Sequence, residues 1–511
     1  MLLIASGQYV VSELYAEFGG IPPAFLPLGN QRLYVHQVRE LQHLYPRICL
    51  TLPSDFEPDA ADAYALGELE VGVCKTPSTL SLGAAMHEAL QRIDASGPID
   101  ILFGDTLVYA DEVDGSDWIA VGDSSEFYHW HYESNGNGNG GAAWAGMFSF
   151  SDAVALRRML HESDDFIPAV IRYANEHRQL ERRHLKRWLD FGHVHTYFHS
   201  RRAVTTQRHF NCLSVADGIL TKSSDDREKM LAEARWFETA PPAIKAYLPN
   251  YIGSEPQPNA SYSLEYLPLA ALNELYVFGR LPVKVWKKIF AACDRYLRAA
   301  RSVPVIESLV PDFGRRMYLD KTLTRLRQFA QQTGIDTAQS WRFNGREVPS
   351  LRQMAEEAAA AVAARPPVPS FIHGDFCFSN ILFDFRSDRI KLIDPRGMDV
   401  DGNLTSFGDF RYDIGKLAHS VIGLYDAIVA SCFRLSIDGQ AVSFEVQQDR
   451  SGVIREAFLG TLFAGRTPEQ WTCYPVMVLL FLSMLPLHVD HPRRQQALMA
   501  NCMRVYCEWK G

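Results

Sequence analysis

Three polar residues with short, ordered spacing stand out in the second half of the chain. Residues 371–380 read FIHGDFCFSN, so that Asp375 precedes Asn380 by five positions, and Asp394 ends the apolar run that begins at Ile390. In phosphoryl transfer, a carboxylate orients the attacking hydroxyl, and metal ions held by carboxylate and amide oxygens neutralise the phosphates. This order of residues therefore indicates a phosphotransfer site.

The segments around these residues predict the elements that must position them. Residues 371–393 predict a strand, a loop and a short hairpin. Upstream, apolar runs at 210–215 and 219–222 flank an Asp-Gly pair, which is typical of a β-hairpin turn. Acidic N-caps then precede a helix through 229–238. Because the chain beyond Leu281 is mainly helical in pattern, these elements describe a two-lobed α+β domain.

This part of the chain resembles the aminoglycoside phosphotransferase and choline kinase family, which is related to the protein kinases. The resemblance covers about residues 205–500 and is carried by His-Gly-Asp, four intervening residues, Asn, and a strand that ends in Ile-Asp. It implies that Asp375 is the catalytic base and that His373 braces the loop. It also implies that Asn380 and Asp394 bind Mg²⁺.

The same resemblance assigns roles to residues outside this loop. Lys222 stands where the phosphate-binding lysine of the third strand belongs, and Glu233, eleven residues later, is its expected ion-pair partner. Residues 264–268, with Glu265 among them, match the hinge that receives the adenine of ATP. Asp413 matches a structural brace. The glycine-rich loop of the family is not evident, since no glycine occurs between Arg201 and Phe210.

The first half of the chain has a different texture, in which short apolar runs alternate with helical patterns. This alternation predicts a mostly parallel α/β sheet of the Rossmann-like kind. A polar helix is expected between about Asp152 and Arg187, interrupted near Pro168. Asp105 follows the apolar strand 99–103 at the end where such sheets bind ligands. Asp190 is a second carboxylate that can share a Mg²⁺ ion with it.

This half looks like the sugar-1-phosphate nucleotidyltransferase family over about residues 1–203. The matching segments are 25–30, 103–106, 144–149 and 188–192. The resemblance implies that Asp105 and Asp190 bind the metal. It also implies a second nucleoside triphosphate (CTP, UTP, GTP or dTTP) as a substrate.

Three phosphate-contacting features of that family are missing. The opening loop that begins at Ile4 has one glycine and no arginine, the family's Pro-Lys pair is Pro23-Ala24, and residues 127–133 contain no Glu-Lys-Pro. Arg32 and Gly7 are candidates to substitute for them. Because oriented charge at developing anions is usually the largest catalytic contribution, these losses leave the activity of the first half open.

Length and composition limit the remaining possibilities. A chain of 511 residues is longer than a single hydrophobic core usually supports, so we expect one domain at 1–203 and another at 204–511. The two lobes of the second domain are expected to divide near residue 268. The net charge of -9 argues against nucleic acid or an anionic membrane as the partner. Nine scattered cysteines and the lack of a membrane-length apolar run predict a cytoplasmic protein without a membrane span.

These features support three hypotheses. In the first, an ATP- and Mg²⁺-dependent kinase phosphorylates a hydroxyl of a small sugar, polyol or amino alcohol, and the other domain transfers a nucleotidyl group onto the product. Related pairings supply precursors for bacterial capsule or lipopolysaccharide. In the second, the first domain is inactive and serves binding or scaffolding. In the third, the chain is a regulatory pseudokinase. The acceptor and the oligomeric state are not specified by the sequence.

Overall fold

The computed structural model forms two compact units. Unit 1 comprises Met1–Thr205 and Phe278–Arg280, and unit 2 comprises Thr206–Val277 and Leu281–Gly511. The described residues are 1–123, 142–163, 165–204, 212–255, 260–305 and 313–511. The segment 127–133 and most of the glycine-free stretch that ends at Phe210 lie outside them.

Unit 1 is built on a seven-stranded sheet. Its strands, in spatial order, are Glu181–His184, Trp118–Gly122, Ala143–Phe150, Ile99–Phe103, Leu2–Ala5, Ile48–Pro53 and Gly72–Thr76. Only Ala143–Phe150 runs antiparallel to its neighbours among these described strands, so the sheet is mostly parallel, as predicted. Its inner strands are buried because helices cover them, whereas the edge strand Glu181–His184 is largely exposed. These helices are Ser12–Phe18, Leu33–Leu41, Ala60–Glu68, Leu82–Arg92, Ala153–Glu162, Phe166–Glu176 and Val194–Val204.

The helix expected between Asp152 and Arg187, interrupted near Pro168, is corrected in its bounds: the break precedes Phe166, and the helical part ends at Glu176. The chain instead forms two helices, each begun by an aspartate whose side chain accepts backbone N–H bonds: Asp152 and Asp165. Pro168 does not interrupt a helix, because it lies in the first turn of the second one, where a missing N–H costs no hydrogen bond. Residues Glu181–His184 form an edge strand that pairs with Trp118–Val121.

The smaller lobe of unit 2 is a four-stranded antiparallel sheet with one long helix and the short helix Pro242–Lys245. The strands lie in the order Cys212–Ala216, Ile219–Ser223, Ser261–Glu265 and Tyr251–Glu255, and the long helix is Arg227–Glu238. Asp217 and Gly218 both have positive φ, 51° and 75°. This conformation fits the tight hairpin predicted from the Asp-Gly pair.

The larger lobe of unit 2 is mainly helical. Its longer helices are Val283–Ser302, Lys321–Thr333, Leu351–Ala363, Phe410–Val421, Ser451–Leu459, Cys473–Met484 and Pro492–Lys510; shorter ones are Leu272–Val277, Phe313–Arg315 and Tyr425–Val429. The helix Cys473–Met484 is apolar on nearly every face and packs among four others, which makes it the centre of this core. In the described residues, no helix combines the length and the apolar character needed to cross a bilayer.

Small strand groups complete the larger lobe. Ala270–Ala271, Ile381–Asp384 and Arg389–Leu392 form one sheet, and Pro369–Phe371 pairs with Phe407–Asp409. A further sheet contains Arg346–Val348, Trp341–Phe343, Ala441–Val446 and Phe433–Asp438. The first two groups flank the loop that carries Asp375.

Candidate active site

The loop that carries Asp375 is fixed by the first turn of the helix Phe410–Val421. Asp413, in that turn, accepts hydrogen bonds from the backbone N–H groups of His373 (2.8 Å) and Gly374 (2.9 Å). Gly374 has φ of 77°, and a Cβ atom there would lie 2.7 Å from the Cβ atom of Arg396. A side chain at position 374 would therefore displace the loop. Burial raises the pKa of the Asp413 carboxyl to about 7.

The Asp375 carboxylate is ionised and oriented by two neighbours. Lys416 Nζ lies 2.7 Å from Asp375 Oδ1, and Asn380 Nδ2 donates to Asp375 Oδ2 at 3.0 Å. Desolvation raises the pKa of this carboxyl, but the Lys416 ammonium and the Asn380 amide outweigh it and hold the pKa well below its ordinary range. The side chain is 39% exposed, so an incoming hydroxyl can reach it.

His373 lies fully buried beneath this loop. Its Nε2 atom is 3.0 Å from the carbonyl oxygen of Ile393, and its Nδ1 atom accepts from the backbone N–H of Asp375 at 3.3 Å. Burial lowers the pKa of the imidazole to about 4, so the ring is neutral at physiological pH. The imidazole thus joins the loop to the segment that leads into Asp394.

Lys222, Glu233 and Asp394 meet in one buried ionic group. Lys222 Nζ lies 2.6 Å from Glu233 Oε2 and 3.0 Å from Asp394 Oδ1. Burial lowers the pKa of Lys222, but the carboxylates of Asp394 and Glu233 outweigh it and raise the pKa above its ordinary value. The hydroxyl of Tyr262 donates to Glu233 Oε2 at 2.7 Å. Lys222, on the strand Ile219–Ser223, thus pairs both with the helix Arg227–Glu238 and with Asp394 of the larger lobe, and so links the two lobes.

The donor atoms beside Asp375 suit a magnesium ion. Both hydrogen bonds from Asn380 Nδ2 go to Asp375, while the amide oxygen Oδ1 accepts from the Ser379 hydroxyl at 3.2 Å and keeps a second lone pair for a metal. Asp394 has φ of 56°, a strained conformation for a residue other than glycine, and its side chain is 39% exposed. Mg²⁺ is usually held by one or two protein oxygens together with substrate phosphates and waters. One carboxylate and one amide fit this pattern.

Glu265 does not join this group. It ends the strand Ser261–Glu265, and its carboxylate accepts from the backbone N–H of Asn250 at 3.2 Å. A contact between Glu265 and adenine stays a prediction.

In unit 1, Asp105 and Asp190 are brought together by a short antiparallel pairing. Thr106–Val108 pairs with Trp188–Asp190, which sets Asp190 opposite Thr106. A Cβ atom at Gly192 would lie 2.7 Å from Asp105 Oδ2 and 3.4 Å from Asp190 Oδ1. Burial and the charge of Asp190 raise the pKa of Asp105 to about 7, and burial raises that of Asp190 to about 6. A divalent cation would relieve this repulsion.

The opening loop of unit 1 is closely packed. The Ser6 backbone N–H donates to Thr51 Oγ1 at 2.7 Å, and a Cβ atom at Gly7 would lie 2.4 Å from Thr76 Oγ1. Arg32 is 4% exposed and forms a bidentate pair with Asp62, with Nη2 to Oδ2 at 2.7 Å. The expectation that Arg32 substitutes for a triphosphate-binding cation is therefore wrong, because its guanidinium is buried and already paired with Asp62.

Residues 216–431 match the model of the phosphotransferase enzyme family, APH. Unit 2 carries a phosphotransferase domain. The family predicted from the His-Gly-Asp segment is thereby confirmed for this part of the chain. A comparison with curated protein sequences found no match.

Solved structures similar to the chain fall into two groups. The APH(2")-IIa complex with streptomycin and ATP is 12% identical, covers 58% of this chain and 91% of its own, and has a TM-score of 0.35. A UTP-bound UGPase from Acinetobacter baumannii is 13% identical, covers 39% of this chain and 90% of its own, with a TM-score of 0.31. The inositol-1-phosphate CTP transferase from T. maritima is 13% identical, covering 38% and 89%, with a TM-score of 0.31.

Two contacts in the phosphotransferase domain were not predicted from the sequence. Tyr262 reaches Glu233 from a neighbouring strand, and Lys416 reaches Asp375 from the helix Phe410–Val421. Lys416 lies three residues after Asp413, on the same helix face. That spacing could have indicated Lys416, since the helix turn that braces the loop also faces Asp375.

Replacing Lys416 with methionine should change how the phosphotransferase responds to pH. Without the ammonium, desolvation is no longer outweighed, so the pKa of Asp375 rises and the carboxylate is protonated at higher pH. We expect the acidic limb of the kcat/KM profile to move up by about 1–3 pH units. A profile from about pH 3 to pH 9 measures this shift, because the ordinary pKa of an aspartate lies near pH 4. A variant that loses activity equally at every pH would contradict the role of Lys416 as a positioning residue for Asp375.

Proposed function

We propose that unit 2 transfers the γ-phosphoryl group of ATP, with Mg²⁺, to a hydroxyl of a small sugar, polyol or amino alcohol. The observation that carries this proposal is the convergence of an ionised base, Asp375, with the metal-suited pair Asn380 and Asp394. The group formed by Lys222, Glu233 and Asp394 supports it, because a lysine held by two carboxylates is pre-oriented toward anionic phosphates. We propose the cytoplasm as the location.

The side chains divide the chemistry as follows. Asp375 accepts a hydrogen bond from the acceptor hydroxyl and takes its proton as the oxygen attacks the γ-phosphorus. Lys222 holds the nucleotide phosphates, and Asn380 and Asp394 would hold Mg²⁺, which when bound neutralises the triphosphate. Because His373 is neutral and fully hydrogen-bonded within the loop, it orients Asp375 and takes no proton.

The test is an acceptor screen that measures ADP formation by the full-length chain. We expect magnesium-dependent ADP release that requires an acceptor. Asp375→Asn and Asp394→Asn should both abolish it. If no acceptor raises ADP release above the level of the Asp375→Asn variant, the proposed activity is wrong and the pseudokinase alternative is favoured.

We further propose that unit 1 transfers a nucleotidyl group onto the phosphorylated product, as a step in the synthesis of surface-polysaccharide precursors. The close pair Asp105 and Asp190 supports this, because one divalent cation bound by both can hold a triphosphate. The alternative is that unit 1 only binds or scaffolds. The packed loop at Ser6 and Gly7, together with the committed charge of Arg32, favours this alternative. Pyrophosphate release with each of CTP, UTP, GTP and dTTP distinguishes the two.

Asp105→Asn should stabilise unit 1 in the absence of metal. Since the folded-state pKa of Asp105 is about 7, above the ordinary value, the wild type loses stability as pH rises from about 4 to 7. The asparagine variant lacks this loss, so at pH 8 its apparent Tm should exceed that of the wild type by about 2–4 °C.

Thermal unfolding with EDTA and with MgCl₂ measures this effect. We expect MgCl₂ to raise the apparent Tm of the wild type more than that of Asp105→Asn. An exposed control, Asp111→Asn, should respond to MgCl₂ as the wild type does. Equal responses of Asp105→Asn and the wild type would remove the case for a shared metal site.

A further inference from the structure

A group of cationic side chains lies beside the Asp375 loop of unit 2. We call Lys321, Arg325 and Arg396 the cationic cluster. In the described part of the chain their polar contacts are neutral: Lys321 Nζ lies 3.4 Å from Tyr412 Oη, Arg396 Nη1 lies 3.3 Å from Met317 Sδ, and Arg325 Nη1 lies 3.4 Å from Gln328 Oε1. None of the three forms an ion pair with a described carboxylate.

The cluster and the base belong to the same site. The backbone N–H of Arg396 donates to the carbonyl oxygen of His373 at 2.9 Å, and Arg396 packs against Gly374, the residue before Asp375. On the other side, Tyr412 contacts Lys321 and lies one helical turn before Lys416, whose ammonium contacts Asp375. The hydroxyl that Asp375 activates must therefore approach next to these cations.

Among the described residues, no carboxylate pairs with the charges of the cluster. Burial, helped by the nearby Arg396 and Lys416 and opposed by Tyr412, lowers the pKa of Lys321 to about 8. Burial raises the pKa of the Tyr412 phenol, but Lys321, Lys416 and Arg396 outweigh it and lower that pKa. Lys321, Arg325 and Arg396 are partly buried, and removing cations from water without an acid beside them is costly. Elsewhere in unit 2, Lys222 is paired with Glu233 and Arg411 with Asp409.

We propose that the phosphoryl acceptor is itself an anion, a hydroxyl compound that carries a phosphate or a carboxylate. Lys321 and Arg396 bind its anionic group while its free hydroxyl faces Asp375. In the reaction a new bond forms between the hydroxyl oxygen and the γ-phosphorus of ATP. The bond from that phosphorus to the β–γ bridging oxygen breaks, ADP leaves with the electron pair, and the hydroxyl proton goes to Asp375. This inference rests on the kinase activity proposed above.

The phosphates of ATP do not account for the cluster. Lys222, together with a Mg²⁺ ion that Asn380 and Asp394 would hold, already provides positive charge for the triphosphate. Lys321 and Arg325 belong to the helix Lys321–Thr333, which contributes none of those groups. A second anion, on the acceptor, is the simplest counter-charge for this face of the loop.

Matched acceptors test the proposal with the wild-type chain. The probes are glucose, glucose 6-phosphate and glucuronate, together with ribose and ribose 5-phosphate, each assayed for ADP formation. We call the neutral sugar of each set the neutral twin of its phosphate or carboxylate derivative. We expect kcat/KM for the anionic derivative to exceed that for its neutral twin by about 100-fold, as charge-assisted hydrogen bonds predict. Preference for glucose 6-phosphate or for glucuronate separates the phosphate from the carboxylate source.

The possible outcomes separate the inference from the activity on which it rests. Turnover that is equal or better with the neutral twins overturns the anionic acceptor and leaves the kinase intact. Absence of acceptor-dependent turnover with every probe counts against the kinase activity itself, and the inference falls with it.

Lys321→Met provides a second test, with Lys287→Met as the matched control. Lys287 is an exposed lysine on the helix Val283–Ser302. We expect Lys321→Met to raise the KM for the anionic acceptor about tenfold or more with the KM for ATP unchanged, while Lys287→Met matches the wild type. A rise in the KM for ATP instead would assign the cluster to the nucleotide and overturn the proposal. If Lys321→Met does not fold, the wild-type comparison of twins decides.

Discussion

Asp375→Asn is expected to lower kcat for acceptor-dependent ADP formation by about 10²–10⁴-fold, the usual contribution of a general base. The amide keeps the size of the carboxylate and can still accept a hydrogen bond from Lys416. It cannot take the proton of the acceptor hydroxyl at neutral pH. The KM for ATP should change little, because Lys222 and the metal-suited residues are untouched. Steady-state kinetics with the best acceptor measure both constants.

Asp388→Asn is the matched control for this variant. Asp388 is a partly exposed residue in the turn between the strands Ile381–Asp384 and Arg389–Leu392, where it pairs with Lys288 at 2.9 Å. Its φ of 52° is a conformation that asparagine also tolerates. It should retain wild-type kinetics. An Asp375→Asn enzyme with a kcat within a few-fold of the control would show that another group takes the proton.

Lys222→Met should have the second largest effect, through the phosphates of ATP. Removing one oriented cation or donor from a site of developing charge typically costs about 10²–10³-fold. We expect kcat/KM for ATP to fall by that factor. The variant also leaves Glu233 buried without its cation, which should destabilise unit 2 by about 3–5 kcal/mol at most, less any relief from protonation of the carboxylate.

A double variant separates catalysis from stability. Lys222→Met with Glu233→Gln removes both charges, and the glutamine can still accept the hydrogen bond from Tyr262. Its apparent Tm should recover toward the wild-type value while kcat/KM for ATP stays low. Recovery of activity together with stability would mean that Lys222 acts through the fold alone.

The polar residues of the phosphotransferase loop could be predicted because their positions follow from local geometry. A strand, a loop and a hairpin of fixed length set the distance between Asp375, Asn380 and Asp394. Likewise, one strand and the next helix suffice to bring Lys222 to Glu233. In each case a few contacts position the residues and the connecting elements are short. The number of residues between two side chains along the sequence therefore predicts how far apart they lie in the fold.

Other features depended on packing that spacing does not reveal. Tyr262 meets Glu233 because two strands pair, and the cationic cluster forms because the helix that begins at Lys321 reaches the turn that holds Tyr412. Arg32 forms an ion pair with Asp62, which lies 30 residues away along the chain. The helix break was expected near Pro168 but lies before Phe166, because the side chain of Asp165 caps the second helix and the helical pattern of the sequence does not reveal that role.

The central claim is that unit 2 moves a phosphoryl group from ATP to an acceptor hydroxyl with Asp375 as the base. Phosphorus-31 NMR of the full-length chain with ATP, MgCl₂ and the acceptor panel tests it most directly. We predict a new phosphomonoester signal that grows as the γ-phosphate signal of ATP declines, and that is absent with Asp375→Asn. Inorganic phosphate as the sole product, or the same phosphomonoester signal from Asp375→Asn, would contradict the claim.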